Sequence, residues 1–376
     1  MMGGFRAVLL LGLVSLLGDL IYEGGRSIIP DYLRVLGASA LVVGVVTGLG
    51  EMVMQVVKLG SGALADRTRT HWHLIFLGYG AILAIPLLSL ASSWELAAAL
   101  IVVERLGKAL RTAPRDAVLS AVSRSMGAGK AFGLHEAVDQ LGAVAGPALM
   151  LVLLALFPGG YGVAFASTLP AYAALLAIMA VAYGRLGAVK PEVGCGGAPA
   201  GRVGLLTLLA SLNSVGLVYA PLILYRASAI LSPSGQTYLV PLIYLVVQLV
   251  DMAVAPAVGF LYDRYGLKTL AIPLILTIPS SATAFLAQDF FTLLLSAAFF
   301  GSVLGMQESV YRAAVSEMGG TATSYGLLNT GLGVSAFLSG VIYGMLMDFG
   351  APSQVVIAYI LATQSAALLT LARMKN

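Results

Sequence analysis

Residues 259–268 read GFLYDRYGLK, and a near copy, GALADRTRT, stands at residues 62–70. Each copy places charged residues between two long apolar runs. Four positions match at one offset of 197 residues: Gly62 with Gly259, Leu64 with Leu261, Asp66 with Asp263, and Arg67 with Arg264. A polar phrase that recurs half a chain away indicates a chain built from two similar halves.

The composition indicates a membrane protein. Only 10% of the 376 residues are charged and 59% are hydrophobic, and the mean hydropathy is +0.95. Soluble domains carry about 25% charged residues, and a membrane helix needs about 20 mostly apolar residues. Twelve stretches meet that need, and they are too long and lack the alternation of a membrane β-barrel. The predicted fold class is an all-α polytopic membrane protein with spans near 6–28, 37–61, 72–91, 94–112, 131–156, 161–183, 203–227, 237–260, 269–287, 290–310, 323–347 and 354–372.

The basic residues are distributed unevenly between the two sides of this twelve-span arrangement. One side receives fifteen of them, from Arg6 and Arg67 to Arg373 and Lys375, and the other side receives Arg26, Arg34 and Arg226. The positive-inside rule then places both termini in the cytoplasm of a cell that carries the protein in its plasma or inner membrane. Because orientation explains the net charge of +4, nucleic acid is not expected as a partner.

The repeat extends beyond the opening phrase. Arg115 in RTAPRDAVLSAV aligns with Arg312 in ESVYRAAVSEM at the same offset of 197 residues. The predicted domains are therefore an N-terminal six-helix bundle at 1–184 and a C-terminal six-helix bundle at 203–376. A cytoplasmic linker at 185–202, rich in glycine and charge, joins them. Parallel six-helix repeats of this kind are found in membrane transporters.

These motifs carry a family resemblance over essentially the whole chain. The doubled phrase resembles the loop between spans 2 and 3 of major facilitator superfamily transporters, which is often echoed between spans 8 and 9. GAVAGP at residues 142–147, with Gly142, Gly146 and Pro147, resembles the glycine-proline motif of the antiporter branch. RLGKALR, from Arg105, partly resembles the arginine motif of span 4 but has Ala109 where a glycine is usual. The resemblance implies twelve helices in two bundles related by pseudo-twofold symmetry. The chain resembles the drug and metabolite efflux antiporter branch, and GDLIYEGGRSIIPDYL and RLGKALRTAPRDAVL are similar to a prokaryotic subgroup that they do not link to a substrate.

The resemblance also implies a role for the repeated phrase. Asp66 would accept hydrogen bonds from the start of span 11 near residues 323–325, and Asp263 from the start of span 5 near residues 131–133. A carboxylate is stabilised there by free N–H groups and the helix dipole. We call the set a cytoplasmic gate; Gly62 and Gly259 would allow close helix packing in it, and the alternative is a solvated turn. Its members are Gly62, Asp66, Arg67, Arg115, Gly259, Asp263, Arg264 and Arg312.

A charged residue inside the membrane costs about 2.5–3.5 kcal/mol on insertion scales, so its presence there indicates that it is paired or functional. Glu23 is expected to pair with Arg26, and Glu104 with Arg105 or Lys108. Asp19, Glu51 and Asp251 are expected to line a central cavity and carry protons. His135 is expected at the membrane interface. The candidate proton-coupling and cavity residues are Asp19, Glu23, Arg26, Glu51, Gln55, Glu104, Arg105, Asp139, Asn213, Tyr219, Tyr244, Gln248, Asp251 and Asn329.

These features favour a secondary active transporter that works as a monomer. The first reading is proton-coupled efflux of a small cationic or zwitterionic amphiphile, so the expected partners are this substrate, protons and the lipid bilayer. A proton symporter or uniporter that imports a nutrient or organic anion is the alternative, with a lipid scramblase or membrane-embedded enzyme after it. No nucleophile–base pair, ATP-binding motif or metal-ligand cluster is recognised, and catalysis, cofactors and metals are not expected.

Overall fold

The structure, a computed structural model, describes residues 4–122, 127–189 and 201–375. Within these ranges the chain is helical, and the α-helices are numbered in chain order. Residues 190–200 of the predicted linker lie outside the described ranges. The helices are α1 (Gly4–Val35), α2 (Ala40–Thr68), α3 (His71–Gly80), α4 (Ala84–Leu87), α5 (Trp94–Val122), α6 (Ala128–Leu156), α7 (Tyr161–Ala166), α8 (Leu169–Leu186), α9 (Gly201–Val215), α10 (Ala220–Leu231), α11 (Val240–Tyr265), α12 (Ala271–Leu286), α13 (Phe290–Glu317), α14 (Ala322–Asp348) and α15 (Ser353–Lys375).

Ten helical stretches in the described part of the chain are long and apolar enough to cross a membrane. One of them, Thr237–Leu286, contains both α11 and α12. Helix α5 is not among the ten, and it carries several charged residues in its second half. Three predicted spans are each built from shorter helical pieces. Short 3₁₀ turns at Ala81–Leu83 and Leu88–Leu90 flank α4, and the chain bends between α7 and α8 and between α9 and α10.

Several helices are longer than their predicted spans. Helix α1 runs to Val35 where the prediction ended at residue 28, α2 runs to Thr68 past residue 61, and α5 runs to Val122 past residue 112. The apolar stretch marks only the part that suits the bilayer interior. Backbone hydrogen bonding continues beyond it into charged turns, because a helix does not need apolar side chains outside the membrane.

The chain divides into two compact units. Unit 1 comprises Met1–Ile28 and Val56–Gly194, and unit 2 comprises Ile29–Gln55 and Cys195–Asn376. Helices α1 and α2 therefore each change unit at mid-length. These units differ from the predicted bundles chiefly in the segment Ile29–Gln55, which clusters with the C-terminal half. The predicted bundles describe the sequence repeat and remain a prediction.

In unit 1 the glycines of GAVAGP bring α6 against α1. A Cβ atom at Gly142 would collide with the backbone carbonyl oxygen of Leu16, and one at Gly146 would lie 2.5 Å from that of Leu20. A Cβ at Gly24 of α1 would in turn lie 3.2 Å from the Gly146 carbonyl carbon. Small residues allow backbones this close, as is common between membrane helices. The motif is thus a packing surface for α1, which carries several of the candidate site residues.

In unit 2 the first half of α2 packs equally closely on α14. Cβ atoms at Gly44 and Gly340 would each collide with the other residue's carbonyl oxygen. A Cβ at Gly48 would lie 2.8 Å from the Phe337 Cα atom, and one at Gly344 would lie 2.6 Å from the Leu41 Cα atom. The glycine richness of both predicted spans is therefore explained by one backbone-to-backbone contact.

The predicted seventh span is broken at Gly216–Tyr219, between α9 and α10. Side chains of other helices in unit 2 replace the lost helical hydrogen bonds. The carbonyl oxygen of Gly216 accepts bonds from the Tyr343 hydroxyl at 2.6 Å and the Ser281 hydroxyl at 2.9 Å. The Ser339 hydroxyl donates to the Leu217 carbonyl oxygen at 2.5 Å. Non-helical backbone is tolerated at membrane depth only when protein groups satisfy it in this way.

Candidate functional site

Unit 1 gathers charged side chains from α1, α5 and α6. Arg26 Nη1 donates to Glu23 Oε1 at 2.8 Å, which confirms the predicted pair on α1. Lys108 of α5 approaches the same carboxylate, with Nζ 4.0 Å from Oε1. Lys108 Nζ also donates to the Tyr22 hydroxyl at 2.6 Å. Glu23 is thus held between two bases that come from different helices, and Tyr22 fixes the position of one of them.

Asp19 lies one turn before Glu23 on α1. Its charged neighbours are Asp139 of α6, Lys108 of α5 and Glu23, and the Tyr22 side chain lies close to it. Asp139 also faces Arg115 and Lys108, and its Oδ1 atom is buried without a hydrogen-bond partner. Both carboxylates are among the candidates predicted from the sequence, but their proximity was not predicted. Their separation in sequence gives no local signal, since the pairing depends on how α1 packs against α6.

Glu104 forms a second buried ionic group within α5. Its carboxylate lies 3.6 Å from Arg105 Nε and 3.5 Å from Arg111 Nη2, and all three side chains are at least nine-tenths buried. Arg111 Nη1 also donates to the Gly78 carbonyl oxygen at 3.1 Å. The prediction named Arg105 or Lys108 as partner. The structure shows Arg105 as the partner, which confirms the prediction, while the Lys108 ammonium group contacts Tyr22 and Glu23.

A hydrogen-bonded chain passes through Ser15 in the first half of α1. The Ser15 hydroxyl oxygen lies 3.0 Å from the Tyr79 hydroxyl oxygen and 3.1 Å from His135 Nε2. Arg115 Nη1 donates to the same oxygen at 2.9 Å. His135 is only 2% exposed, so it lies within the helix packing in contact with Ser15, and its position at the membrane interface stays a prediction. Ser15 and Tyr79 were missed, because a serine and a tyrosine in apolar helices carry no signal of their own.

One group of side chains in the described part of the chain offers ligand atoms close together. His135, Glu136 and Asp139 each bring one ligand atom, and these atoms lie within 4.8 Å of one another. They occupy one turn of α6, where i and i+4 positions share a face. One of the three, Glu136, is exposed, and His135 Nε2 already faces Ser15. This arrangement does not fit a closed metal site.

In unit 2 the predicted residues of α2 lie near the broken span. Gln55 Nε2 donates to Glu51 Oε1 at 3.1 Å. The Gln55 side chain covers Gly333 of α14, whose Cβ would lie 2.8 Å from the Gln55 Cβ. Tyr219, at the end of the break, lies close enough to Glu51 and Ser214 to interact with both side chains. The structure therefore brings Glu51, Gln55 and Tyr219 into one neighbourhood.

Helix α11 carries the buried predicted residues Tyr244, Gln248 and Asp251 on one face. Asp251 packs on α13, where a Cβ at Gly305 would lie 2.9 Å from Asp251 Oδ1. The glycine thus makes room for the carboxylate. The side chains occupy successive turns of α11, since residues three and four apart share a helix face.

The remaining candidates of unit 2 have different surroundings. Asn213 is fully buried; its Nδ2 donates to the Tyr311 hydroxyl at 2.9 Å, and its Oδ1 accepts from Thr277 Oγ1 at 2.8 Å. The amide nitrogen and the amide oxygen of Asn213 are thus both hydrogen-bonded, and these bonds join α9 to α13 and α12. Asn329 is half-buried on α14.

The predicted gate residues are divided between the two units. In unit 1 Asp66 Oδ1 lies 3.1 Å from His71 Nε2, at the turn between α2 and α3. A Cβ at Gly62 would lie 3.3 Å from the Ala113 Cβ, so this glycine packs α2 against α5. Gly259 differs, because no heavy atom of the described chain lies within 4 Å of its Cβ position. The prediction that both glycines allow close packing is therefore wrong for Gly259 in this structure.

Four charged gate residues are exposed: Arg67 of unit 1, and Asp263, Arg264 and Arg312 of unit 2. The Arg264 guanidinium lies 5.4 Å from the Tyr265 ring centroid. The Tyr325 hydroxyl donates to the Arg312 carbonyl oxygen at 3.4 Å, at the start of α14. Arg115 contacts Asp116 at 2.9 Å in addition to Ser15. The pairing of Asp66 and Asp263 with distant helix starts stays a prediction.

Residues 11–340 match the family described as the Major Facilitator Superfamily. The chain is 33% identical over 383 residues to an uncharacterized protein of Mycobacterium tuberculosis, which covers 95% of this chain and 90% of the relative. It is also 35% identical over 150 residues to an uncharacterized MFS-type transporter of Methanocaldococcus jannaschii, or 40% of this chain and 37% of that protein.

Solved structures show the same fold at low identity. A mutant of the nucleoside transporter NupG superposes with a TM-score of 0.76 at 14% identity, covering 97% of this chain and 99% of that chain. The peptide transporter POT in complex with sulfate gives a TM-score of 0.72 at 14% identity, covering 98% and 93% of the two chains. The all-α polytopic fold predicted from the apolar stretches is thereby confirmed.

Proposed function

Because the chain belongs to the major facilitator superfamily and is a multi-pass membrane transporter, we propose that it exchanges protons for a small cationic or zwitterionic organic molecule. It works by alternating access, in which a site at mid-membrane depth opens to one side at a time. The direction proposed is efflux, supported by the GAVAGP resemblance to the antiporter branch. The transporter acts as a monomer in the cell membrane with both termini in the cytoplasm, as the distribution of Arg and Lys favours.

The observation that carries this proposal is the neighbourhood of Asp19 and Asp139 in unit 1. Two carboxylates in one buried neighbourhood repel each other, and a bound proton or a substrate cation relieves the repulsion. Proton and cation therefore compete for the same pair, which is the requirement for exchange. Lys108 stands beside both carboxylates and is positioned by Tyr22. Glu23 and Glu104 are less suited to carry the proton, since each carboxylate makes ion-pair contacts of 4.0 Å or less with two bases.

The way charges are paired in the cluster supports a substrate with a positive group. Five carboxylates (Asp19, Glu23, Glu104, Asp116 and Asp139) lie among five bases (Arg26, Arg105, Lys108, Arg111 and Arg115), and Arg115 is engaged by Asp116. The bases adjacent to Glu23 and Glu104 are engaged by those carboxylates. An incoming cation would then meet the Asp19–Asp139 pair. A small anion imported with protons is the second candidate, and Lys108, which is 24% exposed, would receive it.

The test is flux in proteoliposomes that contain the purified full-length protein and a pH-sensitive dye. The probes are a fluorescent lipophilic cation, a free amino acid and a monocarboxylate, each offered with and without an imposed pH gradient. We expect the gradient to drive accumulation of the cation or the amino acid, with protons moving the opposite way. Accumulation of the carboxylate together with protons would support the second candidate and overturn exchange.

Variants test the residues. Asp19→Asn and Asp139→Asn preserve side-chain shape, so we expect loss of pH-driven accumulation with exchange at equal pH retained. Glu95→Gln is the matched control, because Glu95 is an exposed carboxylate at the start of α5. Full pH-driven accumulation in both aspartate variants would show that the pair does not couple transport to protons.

A further inference from the structure

The last turns of α1, which belong to unit 2, meet α10 through a buried polar contact. Neither a sequence motif nor the family resemblance indicated this contact. The Ser228 hydroxyl of α10 donates to Asp31 Oδ1 of α1 at 2.5 Å, and both residues are fully buried. Arg34 Nη1 donates to the same hydroxyl oxygen at 3.3 Å. Asp31 and Ser228 are 197 residues apart, which is the offset of the internal repeat. Equivalent positions of the two repeats therefore contact each other directly.

A second contact lies at the start of α2. Asp348, the last residue of α14, accepts the backbone N–H groups of Ala40 and Leu41, one on each carboxylate oxygen and both at 2.9 Å. The first N–H groups of a helix have no partner within it, and a carboxylate satisfies them and opposes the helix dipole. Because α2 has 29 residues, this end lies about 40 Å from its Asp66 end at 1.5 Å per residue.

Both contacts involve Ile29–Gln55, the segment that clusters with unit 2 while the remainder of α1 and α2 clusters with unit 1. Ser228 and Asp348 lie near the ends of α10 and α14 that approach the α1–α2 connection. If the substrate path opens at the end where α1 connects to α2, the segment Ile29–Gln55 moves away from α10 and α14. The Asp31–Ser228 contact and the contact of Asp348 with the start of α2 then break. The tight Gly44–Gly340 packing lies between them along the same interface.

We propose that these two contacts, which we call the α1–α2 lock, hold this end of the transport path closed and open once in each cycle. The lock lies at the opposite end of α2 from the Asp66 gate predicted from the repeat. It rests on the alternating-access cycle proposed above but needs no particular substrate or coupling ion. Breaking it exposes Asp31 to water and frees two N–H groups to bind water, so opening leaves no polar group buried without a partner.

The test measures the distance across the lock in the full-length protein reconstituted in lipid nanodiscs. Spin labels are attached at Val35→Cys and Phe349→Cys in a Cys195→Ser background, since both labelled side chains are well exposed. Measurement without substrate and at one pH separates this result from proton coupling. We expect a short distance to dominate in the parent protein, with a minor longer component.

Three variants weaken the lock from different sides. Ser228→Ala removes the donor to Asp31, and Asp348→Asn removes the charge at the α2 start. Ala40→Pro removes one N–H group while keeping the helix, because the first helical position tolerates proline. We expect each to raise the longer-distance fraction several-fold. Asp348 is exposed, so high salt should reproduce part of the Asp348→Asn effect and little of the Ser228→Ala effect.

Matched controls use the same chemistry elsewhere. Asp289→Asn alters a carboxylate that caps its own helix, accepting the Thr292 N–H at 2.8 Å. Those bonds hold the pKa of Asp289 below its usual range, so the control also removes a charge at neutral pH. Ser27→Ala removes a buried hydroxyl that bonds within α1, to the Gly24 carbonyl oxygen. Distance distributions that stay unchanged in all three lock variants, or that shift equally in the controls, would overturn the lock.

Discussion

Lys108 Nζ lies 2.6 Å from the Tyr22 hydroxyl oxygen and 4.1 Å from the centre of the Tyr22 ring. This contact joins α5 to α1 beside Asp19 and Glu23. A lysine ammonium on a flexible stem has many positions open to it, and one strong hydrogen bond removes most of them. Tyr22 therefore sets where the positive charge stands relative to both carboxylates, and the arrangement of the cluster depends on this bond.

Tyr22→Phe is expected to slow transport without unfolding the protein. The ring remains to fill its place in the packing, but Lys108 loses its hydrogen bond and turns towards Glu23, whose Oε1 atom is 4.0 Å away. Initial rates of pH-driven uptake in proteoliposomes should fall about tenfold, equivalent to about 1.4 kcal/mol. Tyr183→Phe is the control, since Tyr183 is an exposed tyrosine that packs in an edge-on manner against Trp72. Equal rates for both variants would show that Tyr22 does not position Lys108.

Glu104→Gln is expected to destabilise the fold. The substitution leaves Arg105 and Arg111 buried beside a neutral amide, and an uncompensated buried charge typically costs about 3–5 kcal/mol. The unfolding temperature in detergent should fall by several degrees or more. Glu95→Gln on the same helix is the control, because changes at exposed positions stay within about 0.5 kcal/mol. A Glu104→Gln protein as stable as the control would mean that water reaches this ionic group.

Gly142→Ala and Gly146→Ala should force α6 away from α1. Each new methyl group would strike a carbonyl oxygen of Leu16 or Leu20, and overpacking of this kind costs about 1–3 kcal/mol. Gly133→Ala is a control on the same helix, because no heavy atom of the described chain lies within 4 Å of its Cβ position. Alanine also favours helix over glycine by about 1 kcal/mol, so the control should be neutral or more stable. Thermal unfolding compares the three, and equal stability would contradict the packing role of GAVAGP.

Two hydroxyl groups at the α9–α10 break should differ in their effect on stability. Ser339→Ala removes the donor to the buried Leu217 carbonyl oxygen, which should cost about 1–3 kcal/mol. Tyr343→Phe should cost less, about 1 kcal/mol, since the Gly216 carbonyl oxygen keeps its bond from Ser281. The measurement is the change in unfolding temperature on heating in the same detergent. The reverse order would mean that Tyr343 does more than satisfy this carbonyl.

The sequence alone determined the class of the protein and its repeat. Apolar stretches of membrane length predict spanning helices because the bilayer admits few alternatives. The 197-residue offset indicates two related halves, because matched residues at one constant spacing need no knowledge of how the helices pack. Contacts within one helix turn were also predictable, since residues three apart share a face. The Glu23–Arg26 pair was found in this way and is confirmed at 2.8 Å.

Contacts between helices were decided by the tertiary structure. The pairing of Asp19 with Asp139, the burial of His135 against Ser15, and the bond from Ser228 to Asp31 depend on how far each helix is rotated about its axis and shifted along it. Close packing of glycines sets that rotation and shift, and it acts between segments far apart in sequence. The same reason decides between the two predicted partners of Glu104, because the Lys108 ammonium group bonds to Tyr22 of another helix and Arg105 contacts Glu104.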